Sequence, residues 1–200
     1  IDWASELEII RGIRERFSPE ELTIRVDANG AFTMDNVFPR LRQLDDLGVH
    51  SIEQPIRAGN WEQMHTVCKM SPVPVALDEE LIGVFDTCDR ELLLDVIRPQ
   101  YIILKPALVG GFSGAREWIN LAEKRGIGWW ITSALESNVG LNAIAQWTAT
   151  FQPEIPQGLG TGALFTNNFP SMLSLKGDKL SFLAGTERDN SVFDNLDWRR

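Results

Sequence analysis

The chain has 200 residues, 44% of them hydrophobic, 24% charged and 9% aromatic, the make-up of a globular domain with one sizeable core. Nineteen Lys and Arg stand against 28 Asp and Glu, a formal net charge of -9; this argues against nucleic acid or an anionic membrane as the main partner, since both are polyanions. No apolar run approaches the ~18 residues of a membrane span, and no basic-then-apolar leader opens the chain. Cys68 and Cys88 lack the spacing of a disulfide framework or a zinc site and are expected to be reduced, buried thiols of a cytoplasmic protein. The chain opens on Ile1 rather than Met, so it reads as processed or as a piece of something longer.

Residues 5–17 carry Leu7, Ile10, Ile13 and Phe17 on one stripe, an amphipathic helix that Ser18-Pro19 ends. Residues 22–26 are short and β-branched and stop at Asp27-Ala28-Asn29-Gly30, a strand running into a turn. The helical pattern over 34–47 contains Pro39, so that helix starts late or kinks. The unit then recurs. Residues 49–52 lead to Glu53-Gln54-Pro55, and Asn60 opens a helix with a capping box. Residues 73–77 lead to Asp78-Glu79, then a helix over 90–97. Residues 101–104 lead to Lys105-Pro106, then a helix over 113–125 with Gly126 as its stop. Residues 128–132 lead to Ser133-Ala134-Leu135-Glu136, then a helix over 139–150; residues 155–159 lead to Gly160-Thr161-Gly162. Beyond Leu164 the pattern stops. Residues 172–175 and 179–182 flank Lys176-Gly177-Asp178 as a hairpin, and the polar stretch 185–200 is expected to be loose.

Asp27, Glu53, Asp78, Lys105, Ser133 and Thr161 follow one another at 26, 25, 27, 28 and 28 residues, the length of a strand, a helix and two short loops. Apolar strands separated by helices mean parallel strands buried on both faces. A doubly wound sheet and a barrel both meet that pattern. The even period and the polar residue ending every strand favour an α/β fold of the (β/α) TIM-barrel type, whose reactive groups sit at the C-terminal strand ends. Six strands are legible where such a barrel needs eight. Residues 1–165 are therefore read as the C-terminal part of a barrel, strands three to eight, with the first two strands missing and the edge at 22–26 in need of cover. Residues 166–200 are read as a C-terminal extension.

At the ends of three parallel neighbours, Asp27, Glu53 and Asp78 would converge on one mouth. Two carboxylates about 4 Å apart repel by roughly 4 kcal/mol at an effective dielectric near ~20, so three together need protons or a cation. An oxygen-only donor set selects Mg²⁺ or Mn²⁺ over zinc. Taken singly, each carboxylate is as readily a loop residue or a helix cap; the regular spacing of three points to a site. Lys105 ends the next strand after the apolar Ile102-Ile103-Leu104. It would face the same mouth, as a base of lowered pKa or as a fixed positive charge, the bland alternative being a snorkelling lysine. His50 and His65 have no spaced partner, and Trp129-Trp130 reads as inner and outer strand packing. Gly110-Gly111-Phe112-Ser113-Gly114 is a weak anion cradle at a helix N-terminus, without the lysine of a phosphate loop.

The set Val26-Asp27-Ala28-Asn29-Gly30, Ile52-Glu53-Gln54-Pro55, Ala76-Leu77-Asp78-Glu79 and Leu104-Lys105-Pro106 resembles the enolase superfamily, in its muconate-lactonizing-like branch. Within it, Thr132-Ser133-Ala134-Leu135-Glu136-Ser137, Gly158-Leu159-Gly160-Thr161-Gly162 and Leu164-Phe165-Thr166-Asn167-Asn168 are most similar to the o-succinylbenzoate synthase family, over about residues 1–175. The resemblance implies a metal-dependent lyase. Asp27, Glu53 and Asp78 would ligate Mg²⁺ (or Mn²⁺), which binds a small-molecule carboxylate substrate. Loss of the α-proton gives an enediolate, and loss of hydroxide completes the dehydration of a succinyl-substituted hydroxycyclohexadiene carboxylate to o-succinylbenzoate, in menaquinone biosynthesis. The resemblance places Asn29 and Glu79 behind the ligands and Gly110, Ser133 and Thr161 at the substrate. It makes Lys105 a catalytic cation that stabilises the anion, with acid/base work left to the second lysine of a Lys-x-Lys pair at the end of the second barrel strand. That pair is not among these 200 residues, nor is the N-terminal lid domain to which the C-terminal extension would return. The N-terminal part is thus an expected partner, and an oligomer is compatible with the sequence. A racemase, epimerase or cycloisomerase on the same scaffold is the first alternative, although the Asp-x-Asp of dipeptide epimerases is absent from 158–164. A non-catalytic barrel fragment is the second.

Overall fold

The computed structural model describes residues 2–183. Five strands, β1 (Arg25–Asp27), β2 (Ser51–Glu53), β3 (Val75–Leu77), β4 (Tyr101–Leu104) and β5 (Gly128–Ile131), form one parallel sheet in strict chain order. Helix α1 (Trp3–Arg14) precedes the sheet, α2 (Val37–Asp46), α3 (Trp61–Met70), α4 (Thr87–Ile97) and α5 (Gly111–Glu123) fill the crossovers, and α6 (Asn138–Ala149) follows β5. A doubly wound sheet reverses its strand order at a switch point; these five strands show no reversal. Right-handed crossovers that never reverse put every helix on one face of the sheet, which is the winding of a barrel.

Packing agrees with that winding. One core joins buried residues of all six helices, among them Leu7, Leu41, Met64, Leu93, Trp118 and Leu141, to the outward strand residues Ile52, Val75, Leu77, Ile102, Leu104 and Ile131. A second, smaller core of Ala76, Ile103 and Trp130, with Tyr101 and Ile155 against it, lies on the opposite, inner face. The expected order is reversed: Trp130 packs inward, whereas Trp129 packs outward, edge-on to Phe151.

The sixth expected strand is corrected by the structure. Residues 155–159 contribute only a bridge from Gly158 to Thr132, held by Gly158 N–H to the Ile131 carbonyl at 2.8 Å and Ser133 N–H to the Gly158 carbonyl at 3.1 Å. Pro156 brings no N–H to a ladder, and the Gln157 side chain accepts the Ile131 N–H at 2.7 Å. Among the described residues no strand pairs with the other edge of this segment. Arg25 reaches it across the inner face: its guanidinium donates to the Pro156 carbonyl at 3.0 Å and lies 4.3 Å from the Trp130 ring centre.

Local chemistry explains the shifted element ends. Asp2 caps α1 by accepting from Ala4 and Ser5 N–H, so the helix starts earlier than its apolar stripe suggests. Asp86 does the same for α4 through Cys88 and Asp89 N–H. Helix α2 starts late, and Pro39 falls in its first turn, where the missing N–H costs nothing. Asn60 caps α3 by accepting from Gln63 N–H at 3.0 Å. The hairpin pairs β6 (Leu173–Lys176) with β7 (Lys179–Phe182), one residue later than expected on its first arm, and Gly177 takes φ +60° at the turn. Cys68 is buried, but Cys88, in the first turn of α4, is exposed, against the expectation of two buried thiols. Neither is in a disulfide. No described helix is long and apolar enough to cross a membrane. The stretch 185–200 lies outside the described residues.

Candidate active site

Strand register decides which side chains can meet. Asp27 pairs with Glu53, Glu53 with Ala76, and Ala76 with Tyr101. Side chains alternate along a strand. Asp78, two residues beyond Ala76, and Lys105, four beyond Tyr101, therefore share the inner face with Asp27 and Glu53. Below them that face is filled by Ala76, Ile103 and Trp130. Beside them a cavity of about 310 Å³ opens, lined by Arg25, Asp27, Ser51, Glu53, Trp130 and Gly158, among others.

Lys105 donates a hydrogen bond to the buried Asp78 carboxylate, and its Nζ lies 4.0 Å from Glu53 Oε1. Asp27 is exposed, and its Oδ1 accepts from Asn29 N–H at 2.7 Å. Burial, and then the charges of Asp27 and Asp78, push the Glu53 carboxyl up to about 8, with Lys105 opposing. Glu79 is also raised, first by burial, with Asp78 and Asp27 adding to it; its Oε2 is buried without a hydrogen-bond partner. Burial alone would lower Lys105, but the hydrogen bond to Asp78 and the charges of Asp78, Glu53 and Glu79 outweigh it, and the group is held as an ammonium ion.

The structure thus brings Asp27, Glu53, Asp78, Glu79 and Lys105 into one electrostatic cluster. Among the described residues no three His, Cys, Asp or Glu side chains already stand at ion-ligating spacing. Lys105 holds Asp78, and Asp27 folds back on its own turn. The donor set still suits a hard divalent cation: it is all oxygen, the cluster holds four carboxyl groups and one ammonium group, and one buried carboxylate oxygen lacks a partner. Asp27, Glu53 and Asp78 are the residues that would hold it.

Of the remaining expected site residues, Asn29, Gly110 and Ser133 lie in the loops after β1, β4 and β5, and Thr161 follows the bridged segment at Gly158. Asn29 is exposed at φ +46°, and Gly110 precedes α5 at φ +97°. Ser133 is engaged within its own turn, donating to Glu136 at 2.7 Å and accepting from Leu135 N–H at 2.8 Å. Thr161 Oγ1 is buried and unpartnered. Three residues escaped the sequence reading. Gln54 and Glu80 are buried and bonded to each other behind the acids, and Arg90 is buried between the loops after β3 and β4. A buried charge or amide inside a polar motif leaves no periodic signal; only its partners in space reveal it.

The chain matches the enolase C-terminal domain-like family over residues 1–169. It belongs to that family. It is 59% identical to an o-succinylbenzoate synthase of Desulfotalea psychrophila over 180 residues, 90% of this chain and 49% of that protein. An N-succinylamino acid racemase of Amycolatopsis is 30% identical over 68% of this chain and 35% of its own length. The chain spans about half the length, or less, of these curated relatives. The crystal structure of MenC from Desulfotalea psychrophila superposes with a TM-score of 0.86 at 59% identity, covering 90% of this chain and 50% of that one. A muconate lactonizing enzyme at 22% identity and a TM-score of 0.83 shares the fold of this enolase-family chain.

Proposed function

We propose that this chain is the C-terminal barrel part of an o-succinylbenzoate synthase, a lyase that dehydrates a succinyl-substituted hydroxycyclohexadiene carboxylate to o-succinylbenzoate in menaquinone biosynthesis. One observation carries the reading: 59% identity over 90% of the chain to a synthase, with the acids and lysine at adjacent strand ends. On this reading residues 1–165 are barrel, and residues 166–200 are an extension that returns to an N-terminal lid. A cytoplasmic site fits the two unpaired cysteines.

Asp27, Glu53 and Asp78 would hold Mg²⁺ or Mn²⁺, which when bound would supply charge stabilisation to a substrate carboxylate losing its α-proton. Lys105 works as a fixed cation beside that carboxylate, the role its raised pKa favours. The other lysines, Lys69, Lys124, Lys176 and Lys179, lie on helices or the hairpin or follow a helix, away from the strand ends. The family resemblance implies that proton abstraction falls to the second lysine of a Lys-x-Lys pair, which is not among these residues. Asn29 and Glu79 orient the ligands, and Gly110, Ser133 and Thr161 border the substrate. Trp130, Ile103 and Ala76 close the floor against water.

Racemase and epimerase relatives at 30–32% identity favour a second reading, in which Lys105 itself moves a proton. The test is the full-length protein given the cyclohexadiene carboxylate with Mg²⁺ and then with EDTA. Metal-dependent formation of o-succinylbenzoate supports the synthase. Turnover of N-succinylamino acids or dipeptides in its place would assign the second reading.

A further inference from the structure

Gln54 follows the candidate ligand Glu53 and is fully buried. Its backbone is left-handed, at φ +37°, a conformation unfavourable for a residue other than glycine. The turn that results aims the side chain back across the strand ends. A carboxamide has two N–H donors and two acceptor sites, and here all four are filled. Nε2 donates to the Ile56 carbonyl at 3.0 Å and to Glu80 Oε2 at 3.1 Å. Oε1 accepts from the N–H groups of Asp78 and Glu80, each at 3.3 Å. The Gln54 backbone adds two more bonds: its N–H donates to the Ala76 carbonyl at 2.9 Å, and its carbonyl accepts from Gly30 N–H at 2.7 Å. One residue thereby ties together the turns after β1, β2 and β3, the three that carry Asp27, Glu53 and Asp78.

Glu80 completes the device. It is 5% exposed, and its second oxygen accepts from Gly59 N–H at 2.9 Å. A reversed amide would set Oε1 against the Glu80 carboxylate and Nε2 against two N–H donors, so Glu80 fixes which way Gln54 faces. We propose that Gln54 and Glu80 are positioning residues for the cation site: the amide holds the Asp78 turn in place beside Glu53, and the Glu80 carboxylate orients the amide. This inference rests on Asp27, Glu53 and Asp78 being the ligands.

Mn²⁺ binding to the full-length protein, read from free Mn²⁺ by electron paramagnetic resonance, tests it together with thermal unfolding in EDTA. Gln54→Glu sets two carboxylates against each other and weakens Mn²⁺ binding by about tenfold or more. The exchange Gln54→Glu with Glu80→Gln restores the bond between the two positions with donor and acceptor reversed, leaves the Ile56 carbonyl without its donor, and regains part of the affinity. Native Mn²⁺ affinity in Gln54→Glu, even with a lowered unfolding midpoint, overturns the proposal by leaving the pair a purely structural role. If Gln54→Glu fails to fold, the exchange decides: an affinity well above that of Asp78→Asn supports the proposal, and one as low as that of Asp78→Asn overturns it. Mn²⁺ affinity unchanged by Asp78→Asn itself overturns the ligand assignment, and this inference falls with it.

Discussion

Glu53→Gln in the metal-free protein isolates the electrostatic strain of the site. The glutamate carboxyl rises from 4.5 to about 8 in the fold, first through burial and then through Asp27 and Asp78. Between those values the folded state keeps a proton that the unfolded chain has lost. The favourable contribution is therefore complete below about pH 4.5 and is lost as pH rises through about 8. At ~1.4 kcal/mol per pKa unit, ionising Glu53 in the fold costs at most roughly 4–5 kcal/mol. Glutamine keeps the shape and never ionises; the attraction to Lys105 is already contained in that figure, and solvent screening of the part-exposed carboxyl brings the expected gain of the variant in alkali to ~3 kcal/mol. For a chain of this size that is ~6–12 °C in unfolding midpoint. Scans in EDTA should show wild type and variant together near about pH 5, with the variant higher by that amount near about pH 9. Saturating Mg²⁺ should reverse the order, since the variant lacks a ligand charge. A gap independent of pH, or a variant less stable than wild type in alkali, would refute the reasoning.

Lys105→Arg should keep part of the dehydration rate, whereas Lys105→Met should lose ~10²–10³ in kcat, as removal of an electrostatic stabiliser does; equal losses in the two variants would favour proton transfer by Lys105. Arg90→Met removes the donors to the Val84, Val109 and Gly114 carbonyls and the partner of Glu117, and urea titration should report a loss of ~3 kcal/mol. Gly114→Ala drives a methyl group into the Val109 carbonyl oxygen and should cost ~1–3 kcal/mol. Gly12→Ala, a helical site with nothing near the added carbon, should gain ~0.5–1 kcal/mol in the same titration.

The repeat was legible because a buried parallel strand and its crossover helix leave a period in the chain, and the polar residues Asp27, Glu53, Asp78 and Lys105 punctuate it. The same period overcounted at 155–159. That segment has the composition of a strand, but Pro156, and among the described residues no second neighbouring strand, leave it one bridge. Strand formation depends on a partner, which composition does not carry. Helix α4 began early because the Asp86 cap lies ahead of the apolar stripe, a signal present in the residues but not in their periodicity. The acids' convergence followed from spacing, yet the side-chain detail did not. Asp27 turned onto Asn29 N–H, Asp78 held by Lys105, and Gln54 bonded to Glu80 are all set by neighbours distant in the chain or by backbone angles. Gln54 stood in the sequence only as part of the motif Ile52-Glu53-Gln54-Pro55, because its left-handed φ, which turns its amide inward, is visible only in three dimensions.

Anomalous diffraction from crystals of the full-length protein grown with Mn²⁺ bears most directly on the site. A single strong peak is expected, bounded by carboxylate oxygens of Asp27, Glu53 and Asp78, with the Lys105 ammonium released from Asp78 and facing it. A peak elsewhere, or ordered protein crystals with Mn²⁺ in solution and no peak among those three side chains, would contradict it.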